Sequence, residues 1–512
     1  MHQETELKFV GTEDALATLR QSTLLQQLAG GRRAKTLVRR AIYFDSEDHL
    51  LRKAGYVLRV RNEGNGFSQT LKKLGNGDVV TRPEFKSEVS DVAPELEAIP
   101  DSRVRWRIIH LLKDKPLAPV FEVDTRRTKL VLTRGKSLAL EAAFDTGEIR
   151  LSRKPGESVP VSEFEVELVR GSADELFSVA RQLTENLPLV LSVLSKADRG
   201  FRLARGEANA AFTSHGVKLS PAGSADDAVA SIISEALHHM LNNVEVVRAG
   251  LAEGIHQMRV ALRKLRIAIS MLHPEQRVAL ASISSEARDI ARVLGEGRDL
   301  DVLLTDITYP VARSLGKDEE FSHLVHLIEA KREACHASIV ELINSEKFRS
   351  FVIGVAAVTY QRPWLSIASE HGTMEADAGA FARRQVERRN RQVHRAIRKA
   401  GKLKAADVHK LRIRLKKLRY TLDFFRSVLP ARRAGRLLRL VTKLQSLLGD
   451  MNDAAIARAF IRDQLRAQEA GEDTPQLAFA GGVVIGWHGR RSIERRARAR
   501  RLLKKLKRRK AI

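Results

Sequence analysis

Cysteine is nearly absent from this chain of 512 residues, because Cys335 is its only one. A single cysteine excludes an intramolecular disulfide framework and every zinc site that needs several thiolates. The chain also lacks any uninterrupted apolar run close to the length of a membrane-spanning helix, which is about 20 residues. Its polar beginning, Met1 to Glu4, does not resemble a signal peptide. We therefore expect a cytoplasmic protein without a transmembrane segment.

Aromatic residues and helix breakers are also scarce. Phe, Trp and Tyr make up 5% of the chain, which argues against the stacking of single-stranded nucleic acid bases. The 32 Gly and 14 Pro stand beside a hydrophobic content of 43%, so disorder as the overall state is excluded. The length favours two or three domains.

Positive charge is what the chain has in excess. It carries 89 Lys+Arg against 62 Asp+Glu, a formal net charge of +27. Residues 1–210 hold 34 basic and 30 acidic residues, whereas residues 211–512 hold 55 and 32. The second part therefore predicts a polyanionic partner, with inorganic phosphate polymers, nucleic acid and an anionic membrane surface as candidates.

The hydrophobic pattern changes once along the chain. Short stretches of strand-type alternation fill residues 1–203, and residues 204–226 form a linker rich in Gly, Ser and Ala. Residues 227–505 have a helical period. The basic C-terminal segment, 490–512, has 13 Lys+Arg and a single acid within 490–510. We predict an α+β multidomain protein in which a strand-rich domain precedes an all-α domain.

Charged residues repeat at every second position in the strand-rich half. Glu4, Glu6 and Lys8 share one face of a strand because strand side chains alternate, and Arg59/Arg61 and Glu165/Glu167 repeat the step. Two arrangements satisfy this pattern. One is a half-buried sheet with its charged face in solvent, and the other is a closed barrel with a charged lumen. In a lumen, carboxylates suit Mg²⁺ or Mn²⁺, and basic side chains suit phosphate oxygens.

These motifs resemble the CYTH family, the triphosphate tunnel metalloenzymes. Its signature E-x-E-x-K corresponds to Glu4-Thr5-Glu6-Leu7-Lys8. The later motifs follow in family order, at Arg59-Val60-Arg61, Thr70-Leu71-Lys72, Arg82-Pro83-Glu84, Glu141 to Gly147, Glu165 to Leu168 and Ser195 to Gly200. The resemblance implies an antiparallel closed barrel of about eight strands with flanking helices, and metal-dependent hydrolysis of a triphosphate.

The resemblance also implies the roles of individual residues. The catalytic set is Glu4, Glu6, Lys8, Glu165 and Glu167. Metal ligands are Glu4, Glu6, Asp145, Glu165 and Glu167, with Mg²⁺ or Mn²⁺ as the cofactor. Phosphate contacts in the tunnel are Lys8, Arg59, Arg61, Lys72, Arg82, Arg127 and Lys196. Arg126 and Arg127 cannot both face the lumen, and Arg127 is favoured.

The helical half contains a duplicated basic motif. Residues 255–266 match residues 408–419, with His409 following His256 by 153 positions, and Leu294-Gly295 has its counterpart in Leu448-Gly449. On a helix, His256, Arg259, Arg263 and Arg266 fall within about 80° of one another, which forms a cationic stripe. A solvated helix face is the ordinary explanation of such a stripe, but duplication and the scarcity of acids argue for a ligand.

This half resembles the CHAD domain, a histidine-containing helical domain known for binding polyphosphate. The residues that match its motifs are His256, Arg259, Arg263, Lys264, Arg266, His409, Arg412, Lys416, Lys417 and Arg419. The expected function is hydrolysis of inorganic triphosphate coupled to polyphosphate binding, with possible granule association. The alternatives are a thiamine- or nucleoside-triphosphatase or adenylate cyclase, and a non-catalytic protein that binds polyphosphate or, less favoured, nucleic acid.

Overall fold

The computed structural model describes residues 5–62, 66–73, 84–153, 156–207, 209–214, 216–316, 318–367, 377–399, 405–467 and 474–508. The chain divides into two compact units. The first joins Met1–Phe212 with Asn344–Gln361, and the second joins Thr213–Ile343 with Arg362–Ile512. A segment from the middle of the helical half thus groups with the strand-rich half. The domain boundaries drawn from the sequence, at 203 and 226, stay a prediction.

All strands within the described residues belong to the first unit. They are β1 (Glu6–Val10), β2 (Lys35–Asp45), β3 (Tyr56–Asn62), β4 (Phe67–Lys73), β5 (Glu84–Val89), β6 (Ala118–Arg134), β7 (Leu138–Leu151), β8 (Ser158–Arg170) and β9 (Val190–Leu191).

The helices occur in both units. They are α1 (Glu13–Gln21), α2 (Thr23–Ala29), α3 (Leu50–Lys53), α4 (Ser102–Leu112), α5 (Ala173–Thr184), α6 (Lys196–Ala204), α7 (Ala225–Leu241), α8 (Val244–Arg248), α9 (Ala252–Ile269), α10 (Ala281–Val302), α11 (Tyr309–Leu315), α12 (Asp318–Asn344), α13 (Glu346–Gln361), α14 (Ala378–Lys399), α15 (Ala405–Phe424), α16 (Ala431–Ala467) and α17 (Thr474–Lys507). None of the helices in the described ranges combines the length and the apolar character that a bilayer crossing requires.

The nine strands found in the described ranges form one sheet in the order β5-β4-β3-β2-β6-β7-β8-β1-β9. Every pairing between neighbours is antiparallel. The expected closed barrel of about eight strands is not observed, because β5 and β9 lie at opposite edges and no hydrogen-bonded ladder joins them within the described residues. Closure depends on pairing between strands far apart in sequence, which alternation within single strands does not specify.

The apolar face of the sheet follows the predicted alternation. Leu58 and Val60 are 0% and 1% exposed and pack with Ile108 and Leu112 of α4, whereas Arg59 and Arg61, between and after them, are only half-buried. Helices α1, α2 and α5 contact β8 or β6, and α13 contacts β9 and α5. Burial of this face against helices stabilises the unit, since each fully buried large apolar side chain contributes about 1.5–3 kcal/mol.

Helix α6 packs against the opposite, charged face at one end of the sheet. Phe121 of β6 stacks on Tyr43 of β2, and Phe201 of α6 meets Phe121 edge-on at 5.1 Å. Gly200 permits this approach, because a Cβ at that position would lie 2.2 Å from the Phe121 ring. Part of the charged face is therefore covered, in contrast to a sheet whose charged side lies in open solvent.

The second unit is built from two related sets of helices. Helix α7 begins at Ala225 and α14 at Ala378, and α9 begins at Ala252 and α15 at Ala405. Both pairs are separated by 153 positions, the offset of the duplicated motif. The duplication inferred from the sequence therefore extends to the helices themselves.

Candidate functional site

The sheet places the predicted tunnel residues on one face. The register pairs Glu6 with Glu167, Lys8 with Glu165, and Arg127 with Asp145. Directly paired residues point to the same side of a sheet, as do residues separated by an even number of positions. By this rule, Arg59, Arg61 and Lys72 also lie on that face, which we call the charged face. Two predicted residues, Glu4 and Arg82, lie outside the described residues.

Three carboxylates meet on the charged face between β7 and β8. Asp145, Glu163 and Glu165 each offer an oxygen, and these oxygens lie within 4.8 Å of one another. Asp145 and Glu163 are 1% and 0% exposed, and Glu165 is half-buried. We call these three residues the carboxylate triad. A group of hard oxygen donors at this spacing can hold Mg²⁺ or Mn²⁺.

Basic side chains already contact each member of the triad. The Arg127 Nε donates to Asp145 Oδ1 at 2.7 Å, and its guanidinium also contacts Glu165. The Lys196 ammonium lies 2.7 Å from Asp145 Oδ2 and also contacts Glu163 and Glu165. The geometry thus distinguishes Arg127, which binds the triad, from the exposed Arg126.

Helix α6 positions Lys196. Ser195 caps the helix, and its hydroxyl and backbone N–H both contact the Asp198 carboxylate in a capping box. Asp198 in turn accepts a hydrogen bond from Arg52 Nη2 at 2.7 Å. The capped first turn directs the Lys196 side chain toward the carboxylate triad, as the ion pairs above record.

The charges of the triad and its partners set their protonation states. Burial alone would raise the pKa of Asp145, but the hydrogen bond from Arg127 and the charge of Lys196 lower it to about 2. Burial likewise opposes ionisation of Glu163, but the charges of Lys8 and Lys196 hold its pKa below the usual range. For Lys196, the charges of Glu163 and Glu165 outweigh burial and raise its pKa. Asp145, Glu163 and Lys196 are therefore charged at neutral pH.

Glu6 has a different environment from the triad. Burial and the nearby charge of Glu165 raise its pKa to about 7, although Lys8 and Arg127 act in the opposite direction. Glu167, its partner across the β1–β8 ladder, adds further repulsion. A carboxyl group whose pKa is raised by neighbouring carboxylates would be stabilised in its charged form by a divalent cation.

A second basic group lies on strands β3 and β4. Lys72 forms an ion pair with Glu84. Burial and the charge of Arg59 lower the pKa of Lys72, while Glu84 raises it. Arg61 pairs with Ser68 across the β3–β4 ladder. The structure thus brings most predicted residues into two groups, one around the triad and one around Lys72.

Two residues of the site were not predicted from the sequence. Glu163 belongs to the triad, and Arg199 donates to Glu163 Oε1 at 3.2 Å. Signals for both were present, since Glu163 precedes Glu165 by one strand period, and Arg199 lies one helical turn after Lys196.

In the second unit, the two copies of the basic motif lie on α9 and α15, which contact each other. Arg263 Nη1 of the first copy lies 3.3 Å from the Tyr420 hydroxyl beside the second copy. The two histidines have similar neighbours. The charge of Arg298 acts on His256, and His409 Nδ1 lies 3.5 Å from Oδ1 of Asn452, which follows Arg298 by 154 positions. Burial and then Arg298 lower the pKa of His256, so its imidazole is neutral at pH 7.

The remaining motif residues differ in their surroundings. Arg259 donates to Gly295 O at 3.1 Å and lies 3.5 Å from Asp299. Lys264 Nζ donates to Ser214 Oγ at 2.7 Å. Arg419 lies over the Tyr420 ring at 4.8 Å from its centroid. The other four motif residues are half-buried on the same two helices: Arg266 on α9, and Arg412, Lys416 and Lys417 on α15.

Family comparisons assign both halves of the chain. Residues 2–201 match the family model of the CYTH domain, and residues 231–462 match that of the CHAD domain. The chain therefore carries a CYTH domain followed by a CHAD domain, as the sequence motifs predicted.

Individual relatives agree with this assignment. An uncharacterised protein of Mycobacterium tuberculosis is 26% identical over 463 residues, which cover 85% of this chain and 84% of that protein. An inorganic triphosphatase of Haemophilus influenzae is 32% identical over 168 residues, which cover 31% of this chain and 44% of that protein. The CHAD domain from the plant Ricinus communis has a similar fold, with a TM-score of 0.50 and 22% identity over 59% of this chain and 98% of that structure.

Proposed function

We propose that the first unit hydrolyses inorganic triphosphate to pyrophosphate and phosphate in a metal-dependent reaction, and that the second unit binds polyphosphate. One observation carries the first part of this proposal. The carboxylate triad, a donor set for a hard cation, lies beside Arg127 and Lys196, which suit phosphate oxygens. The CYTH assignment and the similarity to an inorganic triphosphatase support triphosphatase-type hydrolysis.

The residues present fit a divalent cation. Asp145, Glu163 and Glu165 would hold it, and the raised pKa of Glu6 marks a carboxylate that such a cation would also stabilise in its charged form. When bound, Mg²⁺ or Mn²⁺ neutralises charge on phosphate oxygens and lowers the pKa of water. Glu6 and Glu167 share the face of the triad and are proposed as further ligands.

The chain's own cations supply the other half of the chemistry. Phosphoryl transfer depends mainly on positioning and on stabilisation of negative charge. Lys196 and Arg127 contact the triad through ion pairs, and an incoming triphosphate offers them oxygens of greater total charge. Their transfer from carboxylate to phosphate would orient the substrate and release carboxylate oxygens. Lys8, Arg59, Arg61 and Lys72 would then contact the rest of the phosphate chain from the same face.

Polyphosphate binding by the second unit is supported by the CHAD assignment and by the charge distribution. Residues 211–512 carry 55 Lys+Arg against 32 Asp+Glu. The paired helices α9 and α15 bring both copies of the basic motif together. A helical domain of this kind would bind a phosphate polymer along these two helices. Association with polyphosphate granules is part of the same proposal.

The test is phosphate release from tripolyphosphate with Mg²⁺ or Mn²⁺, with an EDTA control. We expect Asp145→Asn and Glu165→Gln each to reduce kcat/KM by about ten- to a hundredfold, because each removes a charged group from the proposed metal site. The matched control is Glu148→Gln, since Glu148 lies three positions after Asp145 on β7 and faces the other side. Thiamine triphosphate and ATP, run in parallel, separate an inorganic triphosphatase from a phosphatase or cyclase of organic triphosphates.

A non-catalytic polyanion-binding protein is the second candidate. Its supporting observation is that every carboxylate of the triad is already paired with Arg127, Lys196 or Arg199. Such a site would not catalyse hydrolysis if these basic side chains stayed bound to the carboxylates and excluded a metal ion. No release from any triphosphate, together with tight polyphosphate binding, would establish this alternative. Competition between polyphosphate and duplex DNA at matched salt would then distinguish the polymers, because both bind with steep salt dependence.

A further inference from the structure

The two halves of the second unit are related position by position. Ser224 and Asp377, which precede α7 and α14, form an isolated antiparallel bridge, and they are also 153 positions apart. A bridge between equivalent residues is the arrangement produced by an approximate two-fold axis. Each residue of the first half can therefore be compared with the residue 153 positions later.

Lys264 in the first half and Lys417 in the second half are counterparts under this relation. The charge of Arg419 acts on Lys264, and the charge of Arg266 acts on Lys417. Because Lys417 is the counterpart of Lys264, and Arg419 that of Arg266, the two contacts are one contact seen from both halves. Each lysine therefore occupies an equivalent place between α9 and α15.

Acidic residues surround the first lysine. The charges of Glu235 and Asp423 favour the protonated form of Lys264, which burial opposes. The corresponding acids are missing around the second lysine. The counterpart of Glu235 is Arg388, and the residue that corresponds to Asp423 in the first half is Ser270. The duplicated halves therefore differ here: two acids lie around Lys264, and a cation and a hydroxyl stand at the corresponding positions around Lys417.

The second lysine lies among cations. Burial and then the charges of Arg389, Arg414, Arg266 and Arg277 lower the pKa of Lys417 to about 8. Burial, followed by Arg388, Arg277 and Arg414, lowers the pKa of Arg389 to about 10. The strongest charge effects on both groups are thus repulsive.

Some donors among the arginines around Lys417 have no acceptor within the part of the chain that the structure describes. Arg389 is 4% exposed, and its Nε is buried without a hydrogen-bond partner among the described residues. The Nε atoms of Arg388 and Arg266 are also buried without a hydrogen-bond partner among the described residues. Leaving a buried donor unpaired costs about 1–3 kcal/mol, more for a charged group. An anion at this place would accept these hydrogen bonds and offset the repulsion.

A structural role accounts for only part of the cluster. Arg388 Nη2 donates to the Ser270 carbonyl at 2.8 Å, and Arg389 Nη2 contacts the same residue. Ser270 caps the C-terminus of α9, where cations interact favourably with the helix dipole. One arginine would serve this purpose. Arg277 Nε donates to Leu272 O at 2.9 Å, and Arg414 Nη1 donates to Gln392 Oε1 at 3.3 Å. These contacts do not account for Lys417, on which both arginines act repulsively.

We propose that Lys417, Arg266, Arg277, Arg388, Arg389 and Arg414 form a binding site for phosphate groups of a polyphosphate chain, and that the equivalent place around Lys264 does not. The inference rests on the proposed polyphosphate binding and extends it to residues outside the duplicated motif, on α14 and on the turn after α9. Arginine suits this ligand because its planar fork matches phosphate oxygens.

The test exchanges residues between the two halves of the full-length protein. Ser270→Asp/Arg388→Glu gives the second lysine the acids of the first. We expect the affinity for long-chain polyphosphate, measured by titration calorimetry at fixed salt, to fall about tenfold or more, since each lost charge-assisted hydrogen bond costs about 1.5–3 kcal/mol. The control is Glu235→Gln/Asp423→Asn, which removes acids at the equivalent place. We expect it to change affinity less than twofold.

The outcomes separate this site from the broader proposal. Equal affinities for wild type and the Ser270/Arg388 variant would overturn the site while leaving polyphosphate binding intact. If wild type itself bound no polyphosphate, the proposed function of the second unit would fail and this site with it. Arg277→Gln/Arg414→Gln is the second variant in case the first does not fold, because Arg277 is half-buried and Arg414 exposed. Its affinity should fall at least about fivefold, and unchanged affinity would equally reject the site.

Discussion

At the scale of single residues, Lys196 has two competing partners. It contacts all three carboxylates of the triad, and it is also a proposed phosphate contact. Lys196→Met should therefore have opposite effects on metal and substrate. We expect tighter Mn²⁺ binding in the absence of phosphate, measured by electron paramagnetic resonance, because the cation no longer competes for the triad.

The same variant should hydrolyse tripolyphosphate at least about tenfold more slowly, since one charge-assisted contact contributes about 1.5–3 kcal/mol. Lys72→Met is the matched control for metal binding, because Lys72 pairs with Glu84 away from the triad. Weaker Mn²⁺ binding by the Lys196 variant would contradict competition between the lysine and the metal.

Lys417 should make polyphosphate binding depend on pH. Its pKa, lowered to about 8 by burial and then by Arg389, Arg414, Arg266 and Arg277, should rise again when an anion binds. Protons are therefore taken up on binding near pH 8.5, and affinity falls as pH rises above about 8. Calorimetry in two buffers with different ionisation enthalpies measures this uptake. It should largely disappear in Lys417→Gln, and an equal uptake in that variant would assign it to another group.

The lowered pKa of Lys417 also has a consequence for folding. The unfolded chain binds more protons than the folded chain between about pH 8 and the ordinary lysine value of 10.5. Stability therefore rises with pH across this window, because the destabilising charge is lost from the folded state first. Below about pH 8 the full cost of the buried charge is present.

At the scale of secondary structure elements, the sequence predicted the faces better than the edges. Alternation places Glu6, Lys8 and Glu165 together on the charged face, and Leu58 and Val60, which flank Arg59, lie on the opposite face in the core, because the strand period of two is a local property. The same alternation also places Glu163, two positions before Glu165, on the charged face. Arg388 and Arg389 could not be predicted in this way, since α14 reaches Lys417 only through tertiary packing of helices distant in sequence.

Helix α6 links the packing of the sheet to the position of Lys196. A Cβ at Gly200 would lie 2.2 Å from the Phe121 ring, so Gly200→Ala must displace the helix or the ring. We expect a loss of stability of about 1–3 kcal/mol, typical of overpacking, and slower hydrolysis because Lys196 moves with α6. Denaturant unfolding and phosphate release measure the two effects.

A compensating substitution provides the control. Phe121→Leu removes the ring that the new methyl group would strike, so the Gly200→Ala/Phe121→Leu double variant should be more stable than the sum of the single changes predicts. Simple additivity of the two losses would indicate that Gly200 is required for another reason.

At the scale of the whole molecule, helix α13 is the element that the sequence placed least well. It lies within the span of the CHAD family model, residues 231–462, yet it groups with the first unit. Its contacts there are specific: the Tyr360 hydroxyl lies 3.2 Å from the Thr5 hydroxyl, and Gln361 Nε2 donates to Asp174 at 2.6 Å. An amphipathic pattern shows that a helix is buried on one side, but not which surface covers that side.

This grouping predicts that a substitution in α13 loosens the first unit. In Tyr360→Ala the chain loses both the contact with Thr5 and the aromatic contact with Phe177, 6.2 Å between ring centroids. We expect faster hydrogen exchange in β1, β9 and α5, with exchange in α7, α9 and α15 unchanged, because local opening depends on local contacts. The control is Leu365→Ala, which truncates a 54% exposed side chain beyond α13. Faster exchange confined to α7, α9 and α15 would instead make α13 a part of the second unit. Thr5 directly precedes β1, which carries Glu6 and Lys8, so the expected result would also make this helix a support for the strand of the proposed active site.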